Sequence, residues 1–552
     1  MPEGALAPAM RWWGWGDPAH PPALPAHALD FLRASVGIAP ESRPPVALER
    51  VRLAPTRLTE SLLDELRALL GTEHVREDRE DRIVHAAGKA YPDLVRLRAG
   101  EPEGAPDAVV YPGAHEQLRS LLGLCARSSL AVVPFGGGTS VVGGVAPLLG
   151  EHRAVIALDM GRMGSLLGLD RESRTVTVQA GMRGPALERE LAGDALTLGH
   201  FPQSFEYVSL GGCAATRSAG QASTGYGAIE EMVLGLRLAA PAGDIALPAV
   251  PATAAGPGLR QLIVGSEGTL GVISELALRV REIPRQQIYE GLFFASFAAG
   301  AEALRTLAQE HALPDVTRLS DEAETRMSLA LAGSGGVKAR LGRAYLGARG
   351  YEAGCVAIFG FEGPEQEVTD RRERALAVAR DCDAVRVGRS PGRAWLRGRF
   401  AAPYLRDELL THGVMVETLE TATQWSNLGT LHTTVAEAIS SALAAFGTPA
   451  LVMCHASHIY ETGASLYFTF VARQHEADPL AQWRAAKDAA STAIVEGGAT
   501  ITHHHAVGRD HAPWIERELG SEGVAALRAL KAELDPAAIM NPGKLLPVSR
   551  PG

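Results

Sequence analysis

The chain is 552 residues long, of which 46% are hydrophobic and 21% are charged. A single hydrophobic core stops growing near ~250–300 residues, so this length predicts a large globular protein with two or more cores. The 53 basic and 63 acidic side chains give a net charge of -10 without any basic stripe, which excludes nucleic acid as the expected partner.

Cysteine and apolar patterns indicate the compartment. The five cysteines are far apart and never form a Cys-x-x-Cys pair, so we predict neither a disulfide framework nor a structural zinc site. No run approaches the ~20 apolar residues that would span a bilayer, and the N-terminus lacks the pattern of a signal peptide. We therefore expect a cytoplasmic protein. The composition, rich in Ala, Arg and Gly, is typical of bacterial proteins.

Four regions follow one another along the chain. Residues 1–100 are predicted to form a helical N-terminal arm, in which "TESLLDELRALLG" is a helix with Thr59 as its N-cap. Residues 101–284 alternate short β-type runs with helical segments, as an α/β domain does. Residues 285–500 mix long helices with strands and predict a second domain. Residues 501–552 contain a helix that stops at Asp535-Pro536.

Three of the seven tryptophans stand close together in the arm, in "RWWGWGD". We interpret Trp12, Trp13 and Trp15 as aromatic anchors that hold the arm against the body of the protein. Contact with a substrate or with a membrane surface is the alternative.

A glycine-rich loop lies at residues 132–145, "VVPFGGGTSVVGGV". Consecutive residues in such a loop can point their backbone N–H groups into one concavity, which binds anionic oxygens. The loop matches neither the dinucleotide fingerprint nor a P-loop, because no Gly-Lys-Ser/Thr follows. Taken alone, tight turns in a β-rich region explain these glycines equally well.

Three further segments have the same character: "PQSFEYVSLGGCAATRSAG", "TGYGAIEEMVLGLRLAAPAGDI" and "LIVGSEGTLGVISELALRV". Together, the four segments resemble the PCMH-type FAD-binding domain of the vanillyl-alcohol oxidase superfamily. The resemblance implies an α+β fold with a two-subdomain FAD-binding domain, an α/β cap domain for the substrate, and helical terminal segments, the last packing back on the flavin site. Since residues 134–145 contain no histidine that could tether the flavin, we expect non-covalent FAD.

The resemblance also implies which residues contact FAD. They are Pro134, Phe135, Gly136, Gly137, Gly138, Thr139, Ser140, Gln203, Ser204, Phe205, Glu206, Tyr207, Val208, Ser209, Thr216, Arg217, Ser218, Ala219, Glu267, Gly268, Thr269, Leu270, Gly271, Val272 and Ile273.

Segments outside this domain are similar to the alkyldihydroxyacetonephosphate synthase family: "RWWGWGD", "PDVTRLSD", "PYLRDELLTHGVMVETLETATQW", "YETGASLYFTF" and "ITHHHAVGRDHAPWI". The resemblance covers residues 11 to 545. It implies an alkyltransferase that exchanges the acyl group of acyl-dihydroxyacetone phosphate for a long-chain alcohol through a flavin N5 adduct, in ether-lipid synthesis. A lipid-like or small phosphorylated substrate, peripheral membrane contact and a homodimer are implied as well.

Two departures keep an alternative open. The ending "MNPGKLL" at 540–546 is typical of the superfamily's dehydrogenases, and His455 stands where the animal synthase has arginine. The alternative is therefore an FAD-dependent oxidase or dehydrogenase of a 2-hydroxy acid or another small alcohol. A flavoprotein that has kept the fold and lost the chemistry is a third reading.

The triple histidine in "THHHAVGRD" is the most specific element of the resemblance. Three consecutive imidazoles cannot share one face of a strand, so at most two of them reach a common site. The resemblance implies that His504 and His505 are catalytic, as is His200, and that His503 contacts the substrate. A surface histidine loop is the alternative. His455 and His458 in "CHASHIY" raise the question of a metal; we predict none.

Two arginines and one tyrosine complete the implied site. A phosphorylated substrate needs a guanidinium for bidentate contact, and the resemblance assigns Arg406 to substrate binding and Arg318 to catalysis. The alternatives are salt bridges of these arginines with Asp407 and Asp321. Tyr460 matches the proton-transfer tyrosine of the family, although as a base it needs a nearby positive charge or imidazole to favour its phenolate. Its alternative is packing against Tyr467.

Overall fold

A computed structural model of the chain describes residues 10–17, 24, 26–38, 42–332, 346–347, 351 and 353–547. Its N-terminal region contains the helices α1 (Ala26–Ser35), α2 (Glu60–Leu70), α3 (Arg79–Val84) and α4 (Tyr91–Ala99). The Thr59 hydroxyl accepts a hydrogen bond from the backbone N–H of Leu62, as predicted for an N-cap, an interaction worth about 1 kcal/mol.

The first of two larger sheets in the glycine-rich region has four strands. They are β1 (Val75–Arg76), β2 (Ala108–Val110), β3 (Leu130–Phe135) and β4 (Ala154–Asp159), in the order β1-β2-β4-β3. Strands β2, β4 and β3 are parallel, and all residues of β2 and β4 are buried. Helix α5 (His115–Ser128) connects β2 to β3. The glycine-rich loop follows the end of β3, so its backbone lies at the carboxyl edge of a parallel pair.

The second sheet has five antiparallel strands in the order β5-β6-β10-β8-β9. The strands are β5 (Leu166–Asp170), β6 (Thr175–Gln179), β8 (Val233–Ala240), β9 (Gly243–Leu247) and β10 (Val272–Arg279). A short pair joins β7 (Leu196–Thr197) to β11 (Arg281–Glu282). The helices here are α6 (Gly184–Ala192), α7 (Leu210–Ala215), α8 (Ser223–Tyr226), α9 (Ile229–Met232) and α10 (Leu259–Ile263).

The second half of the chain forms a seven-stranded antiparallel sheet in the order β15-β12-β14-β13-β17-β18-β16. Its strands are β12 (Gln286–Phe294), β13 (Val316–Ser320), β14 (Cys355–Gly363), β15 (Val385–Gly388), β16 (Val414–Gln424), β17 (Ala450–Ile459) and β18 (Gly463–Arg473). The helices are α11 (Phe297–Gln309), α12 (Glu322–Ala332), α13 (Glu365–Asp381), α14 (Arg389–Gly398), α15 (Ala402–Thr411), α16 (Trp425–Ala444) and α17 (Pro479–Glu496).

The C-terminal segment returns to the first sheet. Helix α18 (Ile515–Leu534) ends where Asp535-Pro536 was predicted to stop it. Met540 then forms a parallel bridge with Val132 of β3, and the Asn541 side chain donates to the backbone carbonyls of Gly144 and Glu267. Met540 and Asn541 are thereby fixed beside the glycine-rich loop.

Two large hydrophobic cores match the expectation from length. One core joins the four- and five-stranded sheets, and the other lies between the seven-stranded sheet and its helices. The α+β fold class is confirmed, whereas the proposed residue boundaries of the four regions stay predictions. All five cysteines are free thiols. Among the described residues, no helix has the length and apolar character needed to cross a membrane.

Candidate active site

A cavity of about 500 Å³ lies between the two glycine-rich-region sheets and the seven-stranded sheet. It is lined by 19 of the 25 residues predicted to contact FAD, which come from three of the four segments. The other six, Phe205, Glu206, Tyr207, Arg217, Thr269 and Leu270, do not line it. Arg217, for example, donates instead to the backbone carbonyls of Val264 and Gln261.

The glycine-rich loop lines one end of this cavity with bare backbone. A Cβ on Gly137 would clash with the backbone carbonyl of Tyr207, and one on Gly136 would clash with the Ser209 hydroxyl. Gly138 has a φ of +65°, which favours glycine. The loop therefore requires glycine for steric reasons, and its open backbone fits the pyrophosphate of a dinucleotide.

Glu267 joins the fourth predicted FAD segment to the C-terminal segment. Its carboxylate accepts hydrogen bonds from the backbone N–H groups of Val507 at 2.8 Å and Gly508 at 2.7 Å. Burial raises the pKa of Glu267 to about 7. This contact fixes the residues that follow the triple histidine against the cofactor side of the cavity.

A chain of hydrogen bonds runs from Tyr460 into the triple histidine. The Tyr460 hydroxyl lies 2.6 Å from His503 Nε2, and His503 Nδ1 lies 3.0 Å from His504 Nδ1. The His504 and His505 rings are 4.8 Å apart, and both line the cavity, whereas Tyr460 does not line it and is 43% exposed. The predicted proton-transfer residues are therefore contiguous. Tyr460 does not take up the alternative of packing on Tyr467, whose ring stacks on His455.

A buried carboxylate, Glu420 on β16, holds the histidine loop in place. It accepts four hydrogen bonds of 2.6–2.8 Å, from the hydroxyl of Thr502 and from the backbone N–H groups of His503, His504 and His505. These donors orient three successive backbone units toward one residue. The loop is consequently anchored by its backbone, and the imidazoles of His504 and His505 line the cavity.

Electrostatics set the protonation of this cluster. Burial lowers the pKa of His504 to about 3 and that of His505 to about 4, so both imidazoles are neutral near pH 7. Burial also opposes ionisation of Glu420, but the adjacent His504 and His505 and the Thr502 hydroxyl hold its pKa well below its usual range. The cluster thus combines one fixed negative charge with neutral proton acceptors.

Tyr460 differs from the expectation of a favoured phenolate. Burial, with Glu231 and Glu230 nearby, raises the pKa of Tyr460 to about 12. Its hydroxyl is therefore protonated and donates to the neutral imidazole of His503. The structure supports a phenol that passes a proton through His503 rather than a phenolate stabilised by positive charge.

Arg318 lines the cavity and has buried partners. Its guanidinium donates to Glu324 at 2.8 Å and contacts His455 Nε2 at 3.1 Å, while His455 Nδ1 lies 3.0 Å from Glu324. The alternative salt bridge of Arg318 with Asp321 is not formed. The carboxylate of Asp321 instead accepts hydrogen bonds from the backbone N–H groups of Cys454 and Glu324. Arg318 is thus oriented by Glu324.

Arg406 lines the cavity at the N-terminal half of α15. It donates to the backbone carbonyl of Lys89 at 2.7 Å and lies 3.5 Å from Asp407. Lys89 in turn donates its backbone N–H to Ser140 of the glycine-rich loop. The carboxylate of Asp407 accepts from the backbone N–H of Trp15. Arg406 is therefore placed beside the cofactor loop by backbone contacts.

His200, His455 and His458 have different surroundings. His200 is buried but does not line the cavity, and its Nε2 lies 3.2 Å from the hydroxyl of Ser218, which does. His455 is engaged by Arg318 and Glu324. Nitrogen atoms of His458, His503 and His504 lie within 4.8 Å of one another, a spacing that could hold a metal ion. The prediction of no metal stays a prediction.

Several residues of the site were missed from the sequence. Trp15, predicted as an anchor, also lines the cavity. Glu420 and Glu324 position predicted residues, and Glu420 had one usable signal, a charged residue inside the strand-like run "VMVETLETATQ". A buried charge in a strand normally has a partner.

The fold and the cavity define an FAD-linked flavoprotein. The family described as "FAD binding domain" matches residues 106–246, and the one described as "FAD linked oxidases, C-terminal domain" matches residues 283–545. The alkyldihydroxyacetonephosphate synthase of Dictyostelium discoideum is 34% identical over 92% of this chain and 84% of its own. A solved structure, "alkyldihydroxyacetonephosphate synthase in P212121", has a TM-score of 0.84 and 31% identity over 97% of this chain and 99% of its own.

The chain belongs to the alkyldihydroxyacetonephosphate synthase family, and its cofactor is FAD. The glycolate oxidase subunit GlcD of Bacillus subtilis is 25% identical over 88% of this chain and 97% of its own, so the oxidase alternative is weaker. The comparisons do not bear out the expectation of a bacterial source.

Proposed function

We propose that this enzyme replaces the acyl group of acyl-dihydroxyacetone phosphate with a long-chain alcohol. Residues of the glycine-rich loop would hold the pyrophosphate of FAD, and the bound cofactor would supply a nucleophilic N5 to the reaction. Peripheral contact with a membrane, a cytoplasmic location and a homodimer belong to the same proposal.

The observation that carries the proposal is that one cavity joins a cofactor cradle to an apolar end. Five side chains of a separate hydrophobic cluster line that end, Met327, Leu409, Val416, Met453 and Val471. Such a wall suits an acyl or alkyl chain, whereas a small hydroxy acid would leave it unfilled. Arg318 and Arg406 line the same cavity and supply cationic groups for a phosphate.

The histidine cluster supports proton transfer during the exchange. The exchange breaks the bond between the substrate carbon and the acyl oxygen, forms a bond to the alcohol oxygen, and transfers the proton of the alcohol to the released fatty acid. On the proposed route through a flavin adduct, a proton would also leave the substrate carbon and later return to it. His504 is neutral, lines the cavity and can accept a proton, and Glu420 lies 3.5 Å from its Nδ1, where it stabilises the resulting imidazolium. Tyr460 and His503 extend this chain toward solvent. The acyl group leaves as a fatty acid. Once the proton held by the histidines has returned to the product, the site carries the same charge as before the reaction.

The proposal is tested under anaerobic conditions, without an electron acceptor. The purified holoenzyme is incubated with acyl-dihydroxyacetone phosphate and a radiolabelled long-chain alcohol. We expect labelled ether lipid together with one released fatty acid per ether formed. If the flavin is instead reduced by 2-hydroxy acids and no ether forms, the oxidoreductase is the better assignment.

A further inference from the structure

The three residues of the triple histidine are not equivalent. Tyr460, His503 and His504 form one hydrogen-bonded chain, in which the Tyr460 hydroxyl contacts His503 Nε2 and His503 Nδ1 contacts His504 Nδ1. The His505 ring lies beside His504 and lines the cavity, but within the described residues no hydrogen bond joins it to the chain, and its Nδ1 is buried without a partner. A proton accepted by His505 would therefore have no hydrogen-bonded path to Tyr460.

The carboxylate of Glu420 lies closer to this chain than to the His505 ring. Its Oε2 is 3.5 Å from His504 Nδ1 and 3.9 Å from His503 Nδ1. It accepts a hydrogen bond from the backbone N–H of His505, but no described carboxylate lies within 4.0 Å of a His505 ring nitrogen. The negative charge therefore stabilises an imidazolium most directly at His503 and His504.

Lys487 of helix α17 is an unusual buried cation. It is 1% exposed, and in the part of the chain that the structure describes its Nζ has neither a hydrogen-bond partner nor a carboxylate within 4.0 Å. Burying an unpaired ammonium costs free energy that an apolar side chain of similar length would not. Proteins keep such departures from ordinary folding rules mainly at functional sites.

Two contacts of α17 place Lys487 close to the triple histidine. One turn before it, the Trp483 indole donates a hydrogen bond to Glu417 of β16, the strand that also carries the anchoring carboxylate of the histidine loop. Just over one turn after it, the Thr492 hydroxyl lies 3.4 Å from Trp514 Nε1. Lys487 thus lies between β16 and the segment that follows the triple histidine.

The charge of Lys487 opposes protonation of His505. Burial lowers the pKa of His505 to about 4, an effect that Glu420 opposes and Lys487 reinforces. Burial also lowers the pKa of His511 to about 3, and Lys487 again reinforces the effect. Without the ammonium, His505 would bind a proton more tightly and would compete for it with His504.

Two buried acids moderate the charge of Lys487 without pairing with it. Burial raises the pKa of Glu417 and that of Asp510, and Lys487 opposes the rise in both. Within the described chain, neither carboxylate lies within 4.0 Å of the Lys487 Nζ, and Asp510 Oδ2 is itself buried without a hydrogen-bond partner. The ammonium therefore keeps its effect on His505.

We propose that Lys487 is a positioning residue that keeps His505 uncharged during turnover and so confines the transferred proton to the hydrogen-bonded chain that ends at Tyr460. The inference rests on the proposed function, because that reaction supplies the proton. The proton passes from the substrate carbon to His504 and later returns to the product, and no bond to Lys487 forms or breaks. A neutral side chain in place of Lys487 would let His505 retain the proton away from the chain.

Histidine titration in the substrate-free holoenzyme tests the effect of the charge without any turnover. In protein with isotope-labelled histidine, the NMR signal of His505 is identified by its absence from H505Q. From about pH 8 to about pH 5.5 the wild-type signal should stay that of a neutral imidazole, since the pKa is about 4. In K487M the pKa of His505 should rise by roughly one to two units, the scale of a unit charge several ångströms away. K487R keeps the charge and should keep the wild-type titration.

Turnover measures whether the same change retains the proton on His505. K487M should lower kcat roughly tenfold at about pH 7, less than the removal of a proton-transfer group itself, with KM and FAD content unchanged. Because a higher pKa leaves more His505 protonated as pH falls, the loss should grow from about pH 8 to about pH 6. The matched control is R484M, which removes an exposed positive charge from the same helix and should change neither the titration nor kcat. K487Q carries the same measurements if K487M does not fold.

The outcomes separate this inference from the proposed function. An unchanged His505 titration in K487M, an equal rise in R484M, or a loss of kcat in K487M that is the same at every pH would overturn the role of Lys487. Normal turnover in K487M despite a raised His505 pKa would also overturn it and would leave the proposed function intact. If the titrations behave as expected while wild type converts no acyl-dihydroxyacetone phosphate, the proposed function fails and the effect of Lys487 on His505 stands.

Discussion

The two sides of the cavity are built in opposite ways. The cofactor side relies on missing side chains: Gly136, Gly137 and Gly138 bring bare backbone against Ser209 and Tyr207. The histidine side relies on side chains that one buried carboxylate, Glu420, orders through four hydrogen bonds. We therefore expect cofactor binding to be lost when a side chain is added to one of these glycines. Catalysis should instead be lost when a single polar atom is removed, with the fold intact.

The largest effect is expected from Gly137→Val. Its side chain would enter the space occupied by the Tyr207 carbonyl, so the loop must shift and we expect purified protein without bound FAD and without activity. The reason is this steric clash, because the positive φ belongs to the neighbouring Gly138. FAD content is measured by absorbance after acid precipitation, which should also release intact flavin from wild type.

Gly168→Val is the matched control for the cofactor side. An added Cβ there meets nothing within 4 Å, and the residue lies in β5, away from the cavity. This variant should retain FAD. Full FAD occupancy in Gly137→Val would show that the cradle lies elsewhere, and flavin that stays in the wild-type precipitate would contradict non-covalent binding.

On the histidine side, Tyr460→Phe should lower turnover by roughly 100-fold or more, the usual scale of a proton-transfer group. The ring and its packing remain, and only the hydroxyl that contacts His503 is lost. FAD content and melting temperature should stay at wild-type values. Tyr111→Phe, which removes a hydroxyl bonded to Asp81 outside the cavity, is the control. Near-normal turnover in Tyr460→Phe would place the proton path elsewhere.

A smaller loss, roughly 10- to 50-fold in kcat, is expected for Glu420→Gln, in line with the loss of one charge-assisted interaction near the reacting groups. The amide oxygen can still accept from Thr502, His504 and His505, but the NH2 group faces the backbone N–H of His503, and the negative charge beside the imidazoles is gone. KM and FAD content should change little. A rise in KM without a fall in kcat would assign Glu420 to substrate binding.

The same substitution should change how stability depends on pH. The pKa of Glu420 is depressed in the folded protein, so its carboxylate stabilises the fold above the unfolded-state pKa of about 4.3, and this stabilisation is lost as pH falls toward the folded-state pKa. Wild type should therefore lose melting temperature more steeply than Glu420→Gln below about pH 5. Glu362→Gln, at a buried carboxylate bonded to Tyr226 and Tyr289, controls for the loss of a buried acid.

Local patterns in the sequence predict much of this molecule. The Thr59 cap, the helix end at Asp535 and the strands around the glycine-rich loop follow from residue spacing and backbone preference, and the structure confirms them. The place of the glycine-rich loop in the cavity was predicted by the family resemblance of the four segments together, because tight turns explain the glycines of the loop alone equally well.

Long-range pairings could not be predicted in the same way. Glu420 meets a loop more than 80 residues further along the chain, and nothing periodic in the sequence links the two. Arg318 pairs with Glu324 and not with Asp321, which is closer to it in the sequence. The reason is that α12 begins at Glu322, and the Asp321 carboxylate is directed to the backbone N–H of Cys454. Such choices depend on how elements pack after the chain has folded, which spacing alone does not encode.

The smallest effect tests whether the two sides of the cavity meet at Arg406. Its guanidinium lines the cavity and is held beside the glycine-rich loop through Lys89, so it belongs to both sides. Arg406→Lys keeps the charge but loses the planar fork, and we expect KM for the phosphorylated substrate to rise roughly tenfold with kcat and FAD content unchanged. Arg371→Lys, at an ion pair with Asp315 outside the cavity, is the matched control. If Arg406→Lys loses FAD instead, the guanidinium serves the cofactor, and the substrate phosphate must be bound by Arg318.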